Sequence, residues 1–231
     1  MIVFDRLSKR YANGREALSN VSFEIHNGEM VFLTGRSGAG KSTVLKLIAL
    51  LERPTRGAVL VNGRNTQALK ARHIPAFRRG IGVVFQDHKL LYDRSVYDNV
   101  ALPLVIAGAG RREIDKRVRA ALDQVGLLGK ERMLPLELSV GEQQRVGIAR
   151  AVVSKPALLI ADEPTGNLDP DLSLEVMRLF RRFQDVGVTV VVATHDLHIV
   201  REFGERVITL ENGSLQGDPP VDPLPSLVAT R

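Results

Sequence analysis

An α/β fold is predicted by three stretches of this 231-residue chain. The first runs Met30-Val31-Phe32-Leu33, Gly35-Arg36-Ser37-Gly38-Ala39-Gly40-Lys41-Ser42, Val44-Leu45-Lys46-Leu47-Ile48. It reads as an apolar strand, a glycine-rich turn and an apolar-periodic helix. The second is the pair of apolar runs 157–161 and 188–193, which have the composition of strands buried on both faces of a parallel sheet. The third is residues 87–155, where strand signals give way to helical ones, as expected of a helical unit inserted into an α/β core.

The order of elements follows from local pattern. Ile2-Val3-Phe4 is a short apolar strand, and Val21-Ser22-Phe23-Glu24-Ile25 alternates with period two as a half-buried strand. Tyr11-Ala12-Asn13-Gly14 between them is a turn, and Asn27-Gly28 predicts a hairpin into the strand at 30–33. Ala58-Val59-Leu60-Val61 and Ile81-Gly82-Val83-Val84-Phe85 are further strands, joined by a polar, basic connection over 66–79. Helices are expected over 95–106 and 111–125, where Ile114, Val118, Ala121, Leu122 and Val125 share one face. Ser139 and Glu142 form an S-x-x-E capping box that opens another helix. A helix with Leu172, Val176, Leu179, Phe180 and Phe183 on one face precedes the strand at 188–193, and a hairpin pairs 207–210 with 214–215. The proline-rich end, without apolar period, is expected to be a mobile tail.

The spacing Gly35 to Ser42 fits G-x-x-x-x-G-K-[ST], a phosphate-cradling loop. Glycines let the backbone approach an anion, and successive amides with a helix N-terminus supply partial positive charge. Lys41 adds a full charge for outer phosphates, and Ser42 offers a hydroxyl to Mg²⁺. Other candidates stand at strand ends, where open α/β sheets bind ligands. Gln86 follows one strand and could ligate Mg²⁺ or position a water; it also reads as an ordinary surface residue. Asp162 and Glu163 end the run 157–161. Alternation predicts that they point to opposite sides, Asp162 toward Mg²⁺ and Glu163 toward an attacking water. His195 ends the next strand and could touch a γ-phosphate or be structural. Tyr11 could stack on a purine or simply pack. Ser139 and its following amides form a second anion-ready helix start, or only a cap.

Composition excludes several classes. The chain has no cysteine, hence no disulfide framework and no Cys-based metal site. No apolar run approaches the ~18 residues that span a bilayer, and residues 1–20 carry charges instead of a signal-peptide core. Net charge is +6, with basic runs at 70–73, 78–79, 111–112, 116–119 and 178–182. Such runs are solvated helix faces, or they meet anionic lipid or nucleic acid.

The motifs in this order resemble the nucleotide-binding subunit of ATP-binding-cassette (ABC) proteins over residues 1–215. That resemblance implies an ABC ATPase fold: a mixed sheet core with an antiparallel β subdomain and an inserted helical subdomain. It divides 1–215 into a core of 1–86 and 156–215 and a helical subdomain of 87–155, with 216–231 as tail. It implies ATP and Mg²⁺ as cofactors. Tyr11 would stack on adenine; Gly35, Arg36, Ser37, Gly38, Ala39, Gly40, Lys41, Ser42, Thr43 and Gln86 would bind ATP; Ser42, Gln86 and Asp162 would hold the metal. Glu163, His195 and Lys41 would be catalytic. Ser139, Val140, Gly141 and Glu142 would act in trans as the signature motif, and Asp169 in the D-loop. Val140 departs from the family, which usually has Gly there. Within the family, Phe85 to Val100 is similar to the cell-division branch. This implies a homodimer on ATP binding and an FtsX-like integral membrane partner contacted near Gln86–Leu91. It also implies signalling to cell-wall hydrolases and a peripheral location on the cytoplasmic face of the inner membrane at the division site, without specific nucleic acid. Segments 142–151 and 164–169 are shared with lipoprotein-release and macrolide-export ATPases, which remain alternatives. Soluble ABC ATPases of DNA repair or translation carry coiled-coil insertions or tandem cassettes, and neither is evident here.

Overall fold

A computed structural model describes residues 1–216. The tail expected at the C-terminal end falls, from residue 217 on, outside the described residues. Strand β1 (Ile2–Arg10) pairs antiparallel with β2 (Glu16–Ile25), and both are longer than their apolar cores suggested. The extensions, such as Ser8 to Arg10 and Glu16, are polar, so hydropathy alone hides them. Phe4 faces Phe23 across this pair with ring centroids 4.4 Å apart. Strand β3 (Met30–Thr34) leads through the glycine-rich turn into helix α1 (Lys41–Ile48). Strands β4 (Arg56–Val61) and β5 (Arg64–Asn65) follow, then a short α2 (Ile74–Arg78) and β6 (Ile81–Val84). Three helices come next: α3 (Val96–Ile106), α4 (Arg111–Gln124) and α5 (Val140–Val152). The chain closes with β7 (Leu158–Asp162), α6 (Pro170–Asp185), β8 (Thr189–Ala193), α7 (Leu197–Phe203), β9 (Arg206–Glu211) and β10 (Ser214–Gln216).

Two sheets result. One is antiparallel in the order β2-β1-β4-β5; the other runs β10-β9-β3-β8-β7-β6, parallel except for β10. The hairpin expected at Asn27-Gly28 is therefore not one. The turn carries the chain from the first sheet to the second, and β3 pairs with β8 and β9 instead of β2. A turn signature reports local backbone geometry and says nothing of which strand the exiting segment will meet.

The six-stranded sheet is buried on both faces, which explains its unbroken apolar strands. Alternate residues go to opposite cores. Phe32, Leu159, Ala161, Val190 and Val192 pack with helices α3 to α6. Val31, Leu33, Leu158, Ile160 and Val191 pack with α1 and the antiparallel sheet. Both cores thus hold β3, β7 and β8 rigidly, and the carboxyl ends of these strands emerge together.

Candidate nucleotide site

A cavity of about 770 Å³ opens at those strand ends, lined by Tyr11, Arg15, residues 36–43, Lys46, Gln86, Asp162, Glu163 and His195. Its floor is the turn into α1. Gly40 sits there with φ 113, and a Cβ would lie 2.7 Å from the Ala17 carbonyl oxygen, so only glycine fits. No side chain caps α1 at this residue. The amide donors of its first turn are left to the cavity, which makes it an anion site. Lys41 is buried; its Nζ donates to the Gly35 carbonyl at 2.8 Å and lies 3.4 Å from Glu163 Oε1.

Glu163 links the catalytic candidates. Its second oxygen lies 2.9 Å from His195 Nδ1 and accepts the His195 amide at 3.3 Å. Strand β7 ends at Asp162, and Glu163 has φ 47, a left-handed backbone seldom adopted by a non-glycine residue. The peptide is anchored there by Glu163 N–H donating to the Ala193 carbonyl and by the Gly166 amide donating to the Glu163 carbonyl. This turn corrects the expectation that the two carboxylates face opposite sides: alternation stops where the strand stops, and both line the same cavity.

Asp162 accepts from Ser42 Oγ at 3.2 Å. Burial pushes its carboxyl above the ordinary range, the Ser42 hydrogen bond opposes this, and the Glu163 charge adds to it. A desolvated carboxylate beside a hydroxyl, with the Gln86 side chain lining the same cavity, is an oxygen-rich set with one carboxylate. It fits Mg²⁺, which completes its shell with phosphate and water oxygens. Tyr11 also lines the cavity, with Lys9 Nζ 4.9 Å from its ring centroid and its hydroxyl 3.3 Å from Thr43 Oγ1.

The remaining candidates stand elsewhere. None of Ser139, Val140, Gly141, Glu142 or Asp169 lines this cavity. Ser139 caps α5 by accepting from the Glu142 amide, and Glu142 reciprocates by accepting from the Ser139 amide. Val140 is half-exposed at the first helical position. Gly141 is buried against α6, where a Cβ would lie 2.1 Å from Leu172 Cδ2. Asp169 caps α6 by accepting from the Leu172 amide at 2.9 Å. Sequence reasoning missed Arg15, whose Nη2 donates to the Gly38 carbonyl at 3.2 Å, and Lys46. The position of Arg15 just past the Tyr11–Gly14 turn was its only signal. It also missed how α5 holds the segment after Gln86. Arg150 donates to the carbonyls of Lys89 and His88, and Gln144 joins His88 Nδ1 to the Pro164 carbonyl.

A phosphate loop at the end of a parallel strand, with a lysine, two carboxylates and a histidine around one cavity, defines a P-loop ATPase. A family model described as ABC transporter matches residues 18–166, and the chain belongs to that family of ATP-hydrolysing cassettes. Among curated proteins it is 58% identical over 217 residues to the cell division ATP-binding protein FtsE of Escherichia coli strain K12, covering 94% of this chain and 98% of that one. It is 49% identical over 218 residues to FtsE of Bacillus subtilis strain 168, covering 94% and 96%. Among solved structures it is similar to the dimeric post-hydrolysis state of the ATP-binding cassette MJ0796 bound to ADP and Pi. There the TM-score is 0.87 at 36% identity, covering 96% of this chain and 99% of that one. It is also similar to cbiO1 from Clostridium perfringens, part of the cbiONQ transporter complex. The TM-score is 0.86 at 32% identity, covering 94% and 86%.

Proposed function

We propose that this chain is the ATPase subunit of a bacterial cell-division complex in which two copies close head to tail on two ATP molecules. The carrying observation is the separation of parts. The P-loop, Lys41, Glu163 and His195 share one cavity, whereas Ser139 to Glu142 present a helix start away from it. A second copy can bring that helix start to the uncovered side of the γ-phosphate. The dimeric cassettes among its structural neighbours support this reading.

Within the site, Tyr11 stacks on the adenine, and the amides of residues 36–43 hold the phosphates. A phosphate beside Lys41 competes with Glu163 for that ammonium, which frees the Glu163 carboxylate to orient the attacking water. His195 keeps Glu163 in place and reaches the γ-phosphate. Mg²⁺, held by Ser42, Asp162 and Gln86, would neutralise charge on the phosphate oxygens. In-trans contact of Ser139 and Gly141 completes the electrostatic cradle.

Residues 87–155 act as the moving subdomain against a core formed by 1–86 and 156–215. The link outward is the segment Gln86–Leu91. Arg150 and Gln144 tie it to α5, the helix that carries Ser139, so closure of one displaces the other. An FtsX-like integral membrane partner seated there receives that motion and relays it to cell-wall hydrolases. Among the described residues no helix is long and apolar enough to cross a membrane. Similarity to the cell division protein FtsE supports a peripheral place for the subunit, on the cytoplasmic face at the division site. The test is Glu163→Gln in light scattering with ATP and Mg²⁺. We expect an ATP-bound dimer to accumulate, with turnover down by about 10²–10⁴-fold. Wild-type turnover in the variant would remove Glu163 from the mechanism.

A further inference from the structure

Glu163 stands where strand β7 has already ended, in a left-handed backbone with φ 47. Its peptide N–H is tied to the Ala193 carbonyl. The next residue is Pro164, which is buried, has no N–H and has its φ fixed by the ring. Its carbonyl is the one backbone group by which the chain can be held there. Gln144 Nε2 donates to that carbonyl at 2.8 Å. Gln144 belongs to α5, 20 residues earlier in the chain, and is 1% exposed.

The other end of the same amide is also engaged. Gln144 Oε1 lies 2.5 Å from His88 Nδ1. A carbonyl can only accept, so the amide NH2 must face Pro164 and the amide oxygen must face His88. His88 Nδ1 therefore carries a proton and donates. His88 is itself held in a left-handed backbone, with φ 56, and its carbonyl accepts from Arg150 Nη2. Gln144 thus joins two places where the chain leaves its regular elements. None of His88, Gln144 and Pro164 lines the nucleotide cavity. A change at Gln144 alters how the Glu163 turn is placed and touches no group that faces the nucleotide.

We propose that Gln144 is a positioning residue for ATP hydrolysis: it fixes the turn that aims Glu163, and the His88 ring fixes Gln144. The proposal rests on Glu163 orienting the attacking water. What Gln144 supplies is geometry. Misplacing a reacting group by about 1 Å costs up to about 10²-fold in rate, while phosphate binding by the loop at 35–42 needs neither side chain.

Steady-state hydrolysis and equilibrium ATP binding by the full chain test it. Gln144→Leu nearly keeps the volume and removes both hydrogen bonds. It should lower kcat by roughly 10- to 100-fold and leave KM and the ATP Kd within about two-fold. At position 88, Asn and Asp have the same shape and both tolerate a left-handed backbone, but only Asn can donate to Gln144 Oε1. His88→Asn should keep kcat within about three-fold of wild type, and His88→Asp should lose about 10-fold. In the Gln144→Leu background the two should no longer differ. Adding Gln144→Leu to Glu163→Gln should change neither residual turnover nor ATP-induced dimerisation in light scattering, because the positioned carboxylate is already gone. A lower melting temperature with unchanged kcat would make Gln144 structural only and overturn the proposal. So would a raised KM, a weaker dimer, or equal activity of His88→Asn and His88→Asp. Should Gln144→Leu fail to fold, the two variants of His88 still decide. Wild-type turnover in Glu163→Gln would bring down the reading beneath the proposal, and it is measured without any change at Gln144.

Discussion

Asp162 shows how a single side chain can be placed for function at a cost in stability. Burial raises its carboxyl pKa above that of the unfolded chain. The folded state therefore favours the protonated form, and near neutral pH the ionised group lowers stability. Asp162→Asn should raise the melting temperature without nucleotide by up to about 2 °C, a small effect because solvent screens part of the penalty. The same variant should lose hydrolysis by about 10²–10³-fold. It should also lose any Mg²⁺-dependence of the ATP-induced rise in melting temperature. A variant that melts lower than wild type without ligand would show that the carboxylate stabilises the apoprotein. Glu163 makes the complementary point. Its left-handed backbone turns it from the strand direction toward Lys41 and His195, and no residue type at 163 announces that.

Helix α5 combines several tasks in one element. Its N-terminus carries Ser139 and Glu142, and its body carries Gln144 and Arg150, which hold the segment after Gln86. The Glu142 carboxyl is held below its ordinary value of 4.5, chiefly by the hydrogen bond from Lys130 and then by the Ser139 amide. The folded pKa is depressed, so this stabilisation is complete above about that ordinary value and is lost as pH falls through the folded one. Urea unfolding across the acid range should show stability falling with pH. Glu142→Gln should flatten that limb by up to about one proton's worth of slope. An unchanged slope would mean that other carboxylates carry the acid sensitivity. Gly141 has a duty within its own chain as well, because a Cβ there would require the Leu172 side chain of α6 to move.

Across the whole molecule, the nucleotide cavity and the exposed helix start of α5 belong to one polypeptide but are not assembled by it. Val140 gives a handle on this separation, since it stands at the first position of α5 and is 50% exposed. An acidic residue at the first position of a helix is favourable to the helix. Under the proposed head-to-tail closure, Val140→Glu should therefore keep the fold and leave ATP affinity within about two-fold, while a carboxylate brought to the partner's phosphate should lower dimerisation and hydrolysis by about 10²-fold. Equilibrium binding of a fluorescent ATP analogue, beside light scattering and phosphate release, separates these effects. A parallel loss of affinity would place Val140 at its own chain's nucleotide.

The sequence by itself determined the α/β class, the P-loop and the strand-end candidates, because these rest on short-range pattern. Glycine spacing shapes a turn, and apolar runs follow from burial on both faces. Residues 35–43, Asp162, Glu163 and His195 were legible for that reason. Long-range pairing was not. The Asn27-Gly28 turn leads to another sheet because β3 finds β8 and β9, partners more than 150 residues away. Arg15 reaches the cavity only because the β1–β2 turn folds over Gly38. The end of α1 meets the connection over 66–79 only because Arg53 and Arg78 bridge segments that lie apart in the sequence. Tertiary structure decided which segments meet and which carboxylates share a cavity, since both depend on where the backbone leaves its regular elements.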